Sequence, residues 1–251
     1  ESLLDLRKKS FKSFINSGLP TKKWENWQFT NFSNIENQNF RLPRSKNITK
    51  IPDILPGRIP NTYLALIING FYQSKLSDLP DDIKISSDDD CFKLNSEYYS
   101  IENMHKDWGG SLNPFHMLNT SMTNSGMTIH LKKNTIISKP IQIICLTDSN
   151  TSKIMNHPRF IYDIGDNSEI TLIEHYISSN STDYFNNTVT SVKLGENSFL
   201  NHIRIQEEAN DSHHVANTLY KLGQKSTLIA NSASFGSSLY RHNINLKFCG
   251  N

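Results

Sequence analysis

The amino-acid sequence predicts a mainly β protein: a right-handed parallel β-helix preceded by a small N-terminal α/β region that begins with an amphipathic helix. Two observations predict the β-helix. A four-residue corner signature recurs at a spacing of about 30 residues, which is the range of solenoid repeats. The runs between the corners are rich in β-branched and aromatic residues and show no helical period.

The corner signature occurs four times, each time between two predicted strands. Glycine or asparagine tolerates the positive φ that a corner needs, and serine or threonine can satisfy backbone groups there. We therefore expect each copy to turn the chain from one strand into the next. The copies are Lys132-Lys133-Asn134-Thr135, Gly165-Asp166-Asn167-Ser168, Gly195-Glu196-Asn197-Ser198 and Gly223-Gln224-Lys225-Ser226.

The predicted strands alternate side chains between two faces. Met127, Ile129 and Leu131 should point inward, and Thr128, His130 and Lys132 outward. An antiparallel sandwich remains the structural alternative. The other predicted strands are Phe160 to Ile164, Ile170 to Tyr176, Val189 to Leu194, Phe199 to Ile205 and Leu228 to Phe235.

The sequence predicts two parts: a helical and mixed α/β region over residues 1–112, and the β-helix core over residues 113–251. An apolar stripe formed by Leu3, Leu4, Phe11, Phe14 and Ile15 indicates an amphipathic helix. Gly18 can cap that helix and Pro20 prevents its continuation. The sequence also predicts a buried strand over Tyr63 to Asn69 and a helix from Asn113-Pro114 to about Met122.

Composition excludes several functional classes. The chain has 251 residues and a formal net charge of +2, with lysines scattered along it, so no nucleic-acid partner is predicted. Residues 1–14 lack the pattern of a secretory signal. The longest apolar stretch, Tyr63 to Ile68, is too short to span a membrane, and no membrane partner is predicted.

No residue is predicted to be catalytic, to bind a cofactor or to ligate a metal. The histidines His175, His202, His213, His214 and His242 lack metal-site spacing. Glu174-His175-Tyr176 could form an acid–base group, but a structural role is favoured. If Phe199, Ile203 and Ile205 face inward, His202 lies on the surface.

Other motifs also have a structural interpretation. Three dispersed cysteines, Cys91, Cys145 and Cys249, are too few for a cluster held by one protein. The acidic run at 88–90 lacks the remainder of a calcium loop. Gly223-Gln224-Lys225-Ser226 lacks the upstream glycine of a phosphate-binding loop.

Short motifs throughout the sequence resemble those of one family. Gly18-Leu19-Pro20-Thr21, with Glu25, Trp27, Phe29 and Thr30, is similar to the N-terminal signature of SufD-type proteins, where tyrosine usually stands at the Phe29 position. Later motifs follow in the family order: Asn113-Pro114-Phe115, Leu118-Asn119-Thr120, Lys139-Pro140-Ile141, Glu174-His175-Tyr176, Tyr184-Phe185, Asn187, Leu194 to Asn197, Gln206-Glu207-Glu208, Arg241 and Asn243.

The sequence thus resembles the SufB/SufD family of iron–sulfur cluster assembly proteins, and SufD more than SufB. The resemblance implies a non-catalytic subunit that partners SufB and the SufC ATPase and supports iron entry and cluster formation. It implies no cofactor bound by this chain alone, an iron–sulfur cluster held transiently by the assembled complex, and a location in the cytoplasm or a plastid stroma.

The resemblance also implies that the chain is an N-terminal and central fragment. Family members continue into further coils and a C-terminal helical region, where SufC binds and SufB is met. Two enzyme alternatives are weaker. A β-helical polysaccharide lyase or hydrolase needs carboxylates clustered in successive coils, whereas the repeats offer Glu174 and Glu207-Glu208. A left-handed hexapeptide acyltransferase needs a six-residue aliphatic period that is missing.

Overall fold

The computed structural model describes residues 2–43, 55–87, 113–123, 126–148, 153–179 and 183–250. Helices in these ranges are α1 (Leu3–Ser17), α2 (Ser33–Glu36) and α3 (Pro114–Met122), with 3-10 turns at Glu25–Trp27 and Ser74–Leu76. The strands are β1 (Tyr63–Ile68), β2 (Phe71–Tyr72), β3 (Ile83–Ser87), β4 (Gly126–Leu131), β5 (Ile141–Thr147), β6 (Ile154–Asn156), β7 (Arg159–Ile164), β8 (Glu169–Ser178), β9 (Tyr184–Leu194), β10 (Phe199–Glu208), β11 (His213–Leu222), β12 (Thr227–Gly236) and β13 (Leu239–Phe248).

The strands form two sheets whose order shows a solenoid. The first sheet runs β2-β1-β5-β8-β10-β12, and the second runs β3-β4-β7-β9-β11-β13. From β7 onward successive strands alternate between the sheets and pair in parallel with the strand one coil earlier, and the short β6 lies with β7 beside β9 in the second sheet. These parallel pairings confirm the predicted β-helix and exclude the antiparallel sandwich. β1 and β3 from the N-terminal part extend the same two sheets.

The predicted corners stack on one another. The third corner residue has positive φ in all four copies: Asn134 (59°), Asn167 (53°), Asn197 (53°) and Lys225 (55°). The asparagines form a ladder, because Asn167 Nδ2 donates to Asn134 Oδ1 at 3.1 Å and Asn197 Nδ2 donates to Asn167 Oδ1 at 3.2 Å. Lys225 occupies the fourth position and ends the amide ladder.

The corner glycines have a different role from the one that the sequence suggested. Gly165, Gly195 and Gly223 do not adopt positive φ; they permit close approach of the coil before. A Cβ on Gly195 would lie 2.6 Å from the backbone nitrogen of Asp166, and one on Gly223 would lie 2.6 Å from the carbonyl oxygen of Leu194. The repeat thus needs glycine for space and asparagine for the left-handed conformation.

The first coils enclose an apolar core. Met127, Ile129 and Leu131 point inward as predicted, and they pack with Ile141, Ile143 and other buried residues of the early coils. A second apolar cluster fixes α3 and the N-terminal segment to the outer face of the second sheet, and includes Trp27, Phe32, Phe115, Phe185 and Val215. Core formation therefore ties the N-terminal part to the rod.

Helix α1 is amphipathic, but it does not bury the stripe that the sequence singled out. Its buried residues are Leu6 and Ser10, which face α3, whereas Leu4, Phe11 and Ile15 are exposed. Arg7 Nη2 donates to the carbonyl oxygen of Thr123 at 2.5 Å and fixes this orientation. Gly18 ends the helix with a φ of 66°, as predicted, and its N–H donates to the carbonyl oxygen of Phe14.

The remaining predictions about elements divide into two groups. The strand at Tyr63–Ile68 and the helix at Pro114–Met122, capped by the Asn113 side chain, are confirmed. Within the described part of the chain, every helix is too short or too polar to cross a membrane. The acidic run at 88–90 and Cys91 lie outside the described residues, and the proposed boundary after residue 112 stays a prediction.

Candidate functional site: a charged network inside the β-helix

The interior becomes polar in the later coils. Along β8 and β10, the residues that face the interior include Glu174, Arg204, Gln206 and Glu208, each of them buried. Glu174 and Arg204 occupy neighbouring positions in the parallel register of β8 and β10. The opposite sheet supplies His214 from β11. We call these side chains and the hydroxyl and amide groups bound to them the interior network.

Glu174 is the centre of the interior network and has no exposed surface. Its Oε2 accepts from Arg204 Nη1 at 2.6 Å and from the Tyr176 hydroxyl at 2.6 Å. Its Oε1 accepts from the hydroxyls of Tyr162 at 2.8 Å and Thr190 at 3.2 Å. Burial alone raises the pKa of Glu174, but the charge of Arg204 and the other contacts more than reverse this, so its pKa lies below the usual range.

Glu208 forms the second acidic position. It lies 2.6 Å from His214 Nδ1, and it accepts from Gln206 Nε2 at 3.0 Å and from Asn186 Nδ2. Burial raises the pKa of Glu208. His214 and the amide hydrogen bonds lower this pKa by a larger amount, so its net shift is downward. Both carboxylates are therefore stabilised in the ionised form.

His214 joins the two acidic positions. Arg204 Nη2 lies 3.0 Å from His214 Nε2, and a guanidinium can only donate. Nε2 must therefore accept, which leaves the ring proton on Nδ1 to be donated to Glu208. The interior network is thus a continuous chain from Glu174 through Arg204 and His214 to Glu208.

This geometry indicates a structural role. Glu174, Arg204 and His214 are each at most 2% exposed. A buried carboxylate that accepts four or more hydrogen bonds has no lone pair or access left for a substrate, and a buried ion pair holds a single arrangement of the core. Of the acidic residues that a polysaccharide lyase would present on an outer groove, Glu174 and Glu208 point inward and Glu207 alone points outward.

His202 corrects the sequence prediction. It was expected on the surface, but it is 2% exposed and points into the interior, with Nδ1 2.7 Å from the Tyr220 hydroxyl and Nε2 3.3 Å from Glu174. The partly exposed side chains are instead those of Ile203 and Ile205. The rule that apolar side chains face inward fails in β10, because Arg204 forms an ion pair with the buried Glu174 and so places the even-numbered residues of the strand inside.

Glu174-His175-Tyr176 is divided between two faces. Glu174 and Tyr176 point inward and bind each other, whereas His175 points to the outer face of the first sheet. There, His175 Nδ1 lies 3.2 Å from the carbonyl oxygen of Gly57, and Nε2 lies 3.3 Å from Glu207. This separation excludes a three-residue acid–base group and supports the structural interpretation.

Gln142 fixes the segment that covers His175. Its Nε2 donates to the carbonyl oxygen of Gly57 at 2.7 Å, and its Oε1 accepts from the N–H of Ile59 at 2.9 Å. Gly57 has a φ of 68°, and a Cβ there would lie 2.4 Å from the His175 ring. The outer end of the motif is therefore a packing contact.

The other histidines that were considered as metal ligands do not lie together. His213 points outward, 3.4 Å from Asp183, while His214 points inward, as strand alternation predicts. His242 contacts Thr218 at 2.9 Å. Among the described residues, no three histidine, cysteine, aspartate or glutamate side chains are placed to hold a metal.

The described cysteines and the glycine-lysine-serine motif do not form a site with one another. Cys145 is buried, and burial and Glu174 raise the pKa of its thiol; Cys249 is exposed. Gly223 to Ser226 forms the fourth corner of the β-helix, where the Ser226 hydroxyl donates to the carbonyl oxygen of Gly223 at 2.8 Å. The Ser226 hydroxyl is therefore used in a hydrogen bond within the corner.

Two motifs that are distant in sequence meet at the outer face of β13. The guanidinium of Arg241 lies 3.8 Å over the ring of Trp27, and it donates to the Thr30 hydroxyl at 2.8 Å and to the carbonyl oxygen of Asn26 at 2.7 Å. Asn243 accepts from Arg241 Nε at 2.9 Å. We call this the Arg241 clamp. It borders an open cleft of about 500 Å³.

Sequence reasoning missed Arg204, Gln206 and His214 as members of one site. The signal was present in β10, where polar residues at 202, 204, 206 and 208 alternate with isoleucines at 203 and 205. Such alternation is ambiguous about which face is inward. The order of the coils, which places Arg204 beside Glu174, resolves it.

Comparison with known proteins agrees with these motifs. Residues 1–143 match the family described as the SufBD protein N-terminal region, and residues 146–251 match the SufBD core domain of SUF system FeS cluster assembly. A SufBD family protein of iron–sulfur cluster assembly from Synechocystis is 31% identical over 91% of this chain and 52% of its own length. Escherichia coli SufD, an iron–sulfur cluster assembly protein, is 25% identical over 95% of this chain and 54% of its own length. The chain spans about half the length of these relatives.

Proposed function

Because the chain belongs to the SufBD family of iron–sulfur cluster assembly proteins, we propose that it is a non-catalytic subunit of an assembly complex with SufB and the SufC ATPase. In this complex it supports iron entry and the formation of a nascent cluster, and the cluster is the cargo of the complex. The proposed compartment is the cytoplasm, or the stroma in a plastid-bearing organism.

The rod of stacked coils supports a scaffold role. Parallel ladders of ten pairs join β10 to β12 and β11 to β13, and the asparagine ladder joins the corners. Such a rod moves as one unit, so movement of an ATPase attached to the complex is transmitted along it. The observation that supports a non-catalytic role most directly is the enclosure of Glu174 and Arg204 in a mutual ion pair.

Co-purification tests the proposal. We would express this chain, tagged, with SufB and SufC of Escherichia coli, alongside a chimera in which the C-terminal half of Escherichia coli SufD follows Asn251. Native mass spectrometry would give the mass of each intact assembly. The chimera should hold both partners, and the 251-residue chain should hold them more weakly, because the family resemblance implies that part of the contact surface lies further along.

Two outcomes would argue against this proposal. Recovery of both forms without SufB and SufC would contradict the assembly role. Equal retention of the partners by the two forms would contradict the placement of the contacts. Escherichia coli SufD, expressed in the same way, is the control that shows the partners to be competent.

A further inference from the structure

The outward face of α1 presents an apolar stripe to solvent. Leu4 and Ile15 are each 60% exposed, and Phe11 is 42% exposed. At 3.6 residues per turn the three side chains lie within about 40° of one another and extend along about 16 Å of the helix. We call them the α1 stripe. Leu6 and Ser10 on the opposite face are buried against the rest of the fold. The α1 stripe is therefore exposed although the helix is packed on the protein.

Positive charge is concentrated beside the α1 stripe. The exposed lysines Lys8 and Lys12 follow the stripe around the helix, on the side away from the fold. Residues 2–24 contain six basic residues and the single acidic residue Asp5, although the whole chain has 26 basic and 24 acidic residues. Asp5 lies on the same side of α1 as Lys8 and Lys12, and Glu1 and Glu25 flank the counted residues, so the two lysines give the helix a modest net positive charge beside the stripe.

We propose that the α1 stripe and its flanking lysines bind the surface of an anionic lipid bilayer, with α1 lying parallel to the membrane plane. A helix with an apolar stripe and lysines beside it can insert its apolar side chains at the level of the headgroups while the lysine amines contact anionic lipid. The sequence argument against a membrane span does not apply to a helix that lies on the surface.

The size of the α1 stripe favours a bilayer over a second copy of the chain. A stable protein interface buries roughly 800 Å² per partner and draws on about twenty residues, whereas this stripe offers three side chains. Packing two such helices together would also bring their lysines close to each other. A bilayer has neither limit, because its anionic headgroups complement the lysines and its acyl region accepts a narrow stripe.

Vesicle flotation tests this inference with phosphatidylcholine vesicles and with vesicles that also contain phosphatidylglycerol. The chain should float only with the anionic vesicles. Leu4→Ser/Ile15→Ser and Lys8→Glu/Lys12→Glu should each weaken binding at least about tenfold. Ile136→Ser, which removes a 68% exposed apolar side chain elsewhere, is the matched control and should leave binding unchanged.

Circular dichroism of each variant shows whether α1 is retained. No flotation of the unaltered chain, or flotation that survives Leu4→Ser/Ile15→Ser, would overturn the inference. Binding of an acidic protein instead of vesicles would also overturn it. The inference is independent of the assembly function, because co-purification with SufB and SufC does not use vesicles.

Discussion

At the scale of residues, Glu174 and Arg204 show how a charged pair is accommodated in a β-helix. They are adjacent in the ladder, joined at 2.6 Å, and surrounded by hydroxyls that complete the hydrogen bonds of the carboxylate. Removing one partner leaves the other buried without its counter-charge. Replacing both by apolar side chains removes the charges together, which is far less costly.

We therefore predict strong coupling between these two residues. Glu174→Leu and Arg204→Leu should each lower the free energy of unfolding by roughly 3–5 kcal/mol, and the double variant should lose much less than the sum. Urea denaturation of the four proteins measures the cycle. Additive losses would show that the two charges do not stabilise each other.

Buried histidines predict how stability depends on pH. His157 is fully buried, and burial lowers its pKa from 6.5 to about 3. In the unfolded chain His157 is protonated below about pH 6.5, whereas in the folded chain it is protonated only below about pH 3. The contribution of His157 is therefore fully present above pH 6.5 and is lost as the pH falls towards 3.

His157→Gln should make the free energy of unfolding less dependent on pH between 6.5 and 4, by up to about 1.4 kcal/mol per pH unit. The glutamine can still accept from Asn187 Nδ2, which lies 3.2 Å from the histidine ring. His130→Gln, at a side chain that is 45% exposed, is the control. An unchanged slope in the His157 variant would contradict the assignment.

At the scale of elements, the corners explain why the coils stack in one register. The left-handed residue at each corner is asparagine three times and lysine once. Asparagine tolerates this conformation better than lysine and can extend the ladder of side-chain amides. Lys225 is thus a position where the sequence departs from its own repeat.

Lys225→Asn should stabilise the chain by about 1 kcal/mol, which corresponds to a rise in melting temperature of about 2–4 °C for a chain of this size. Asn197→Ala should lower stability by a similar amount, because it breaks the ladder and places alanine at positive φ. Lys133→Asn, at an exposed corner position without positive φ, should have no effect. Equal responses at 133 and 225 would refute the explanation.

Element-scale features were also the part of the fold that the sequence predicted best. Corners, strand positions, the Asn113 cap and the Gly18 stop are local, since each depends on the conformations available to one or two residues. The face that a strand or helix buries is not local. His202 was assigned to the wrong face, because the choice of face depends on the contact between Arg204 and Glu174. The sequence also did not show that α1 buries Leu6 and Ser10 against α3.

At the scale of the whole molecule, the Arg241 clamp joins the N-terminal segment to the last described strand. The sequence motifs around Trp27 and Arg241 resembled the same family, but nothing in their spacing placed them together. The clamp combines a cation–π contact with three hydrogen bonds from one guanidinium.

Arg241→Ala should release the N-terminal segment without unfolding the rod. The loss of the cation–π contact and of the hydrogen bonds should cost about 2 kcal/mol locally, so that tryptic cleavage after the exposed Lys22 or Lys23 becomes more than tenfold faster. Arg241→Lys, which keeps the charge but not the fork of donors, should have an intermediate effect. Unchanged cleavage rates would show that other contacts hold the segment.

We propose that this chain contributes a rigid body to cluster assembly and that its interior charges hold the fold without acting on the cargo. The most direct test is cluster formation by the complex of the chimera with SufB and SufC, comparing the unaltered interior with Glu174→Leu/Arg204→Leu. Assembly mass, bound iron and cluster absorbance would be measured on the same samples. We predict that the variant that folds and assembles also forms clusters at the unaltered level; intact assembly with lost cluster formation would contradict the claim.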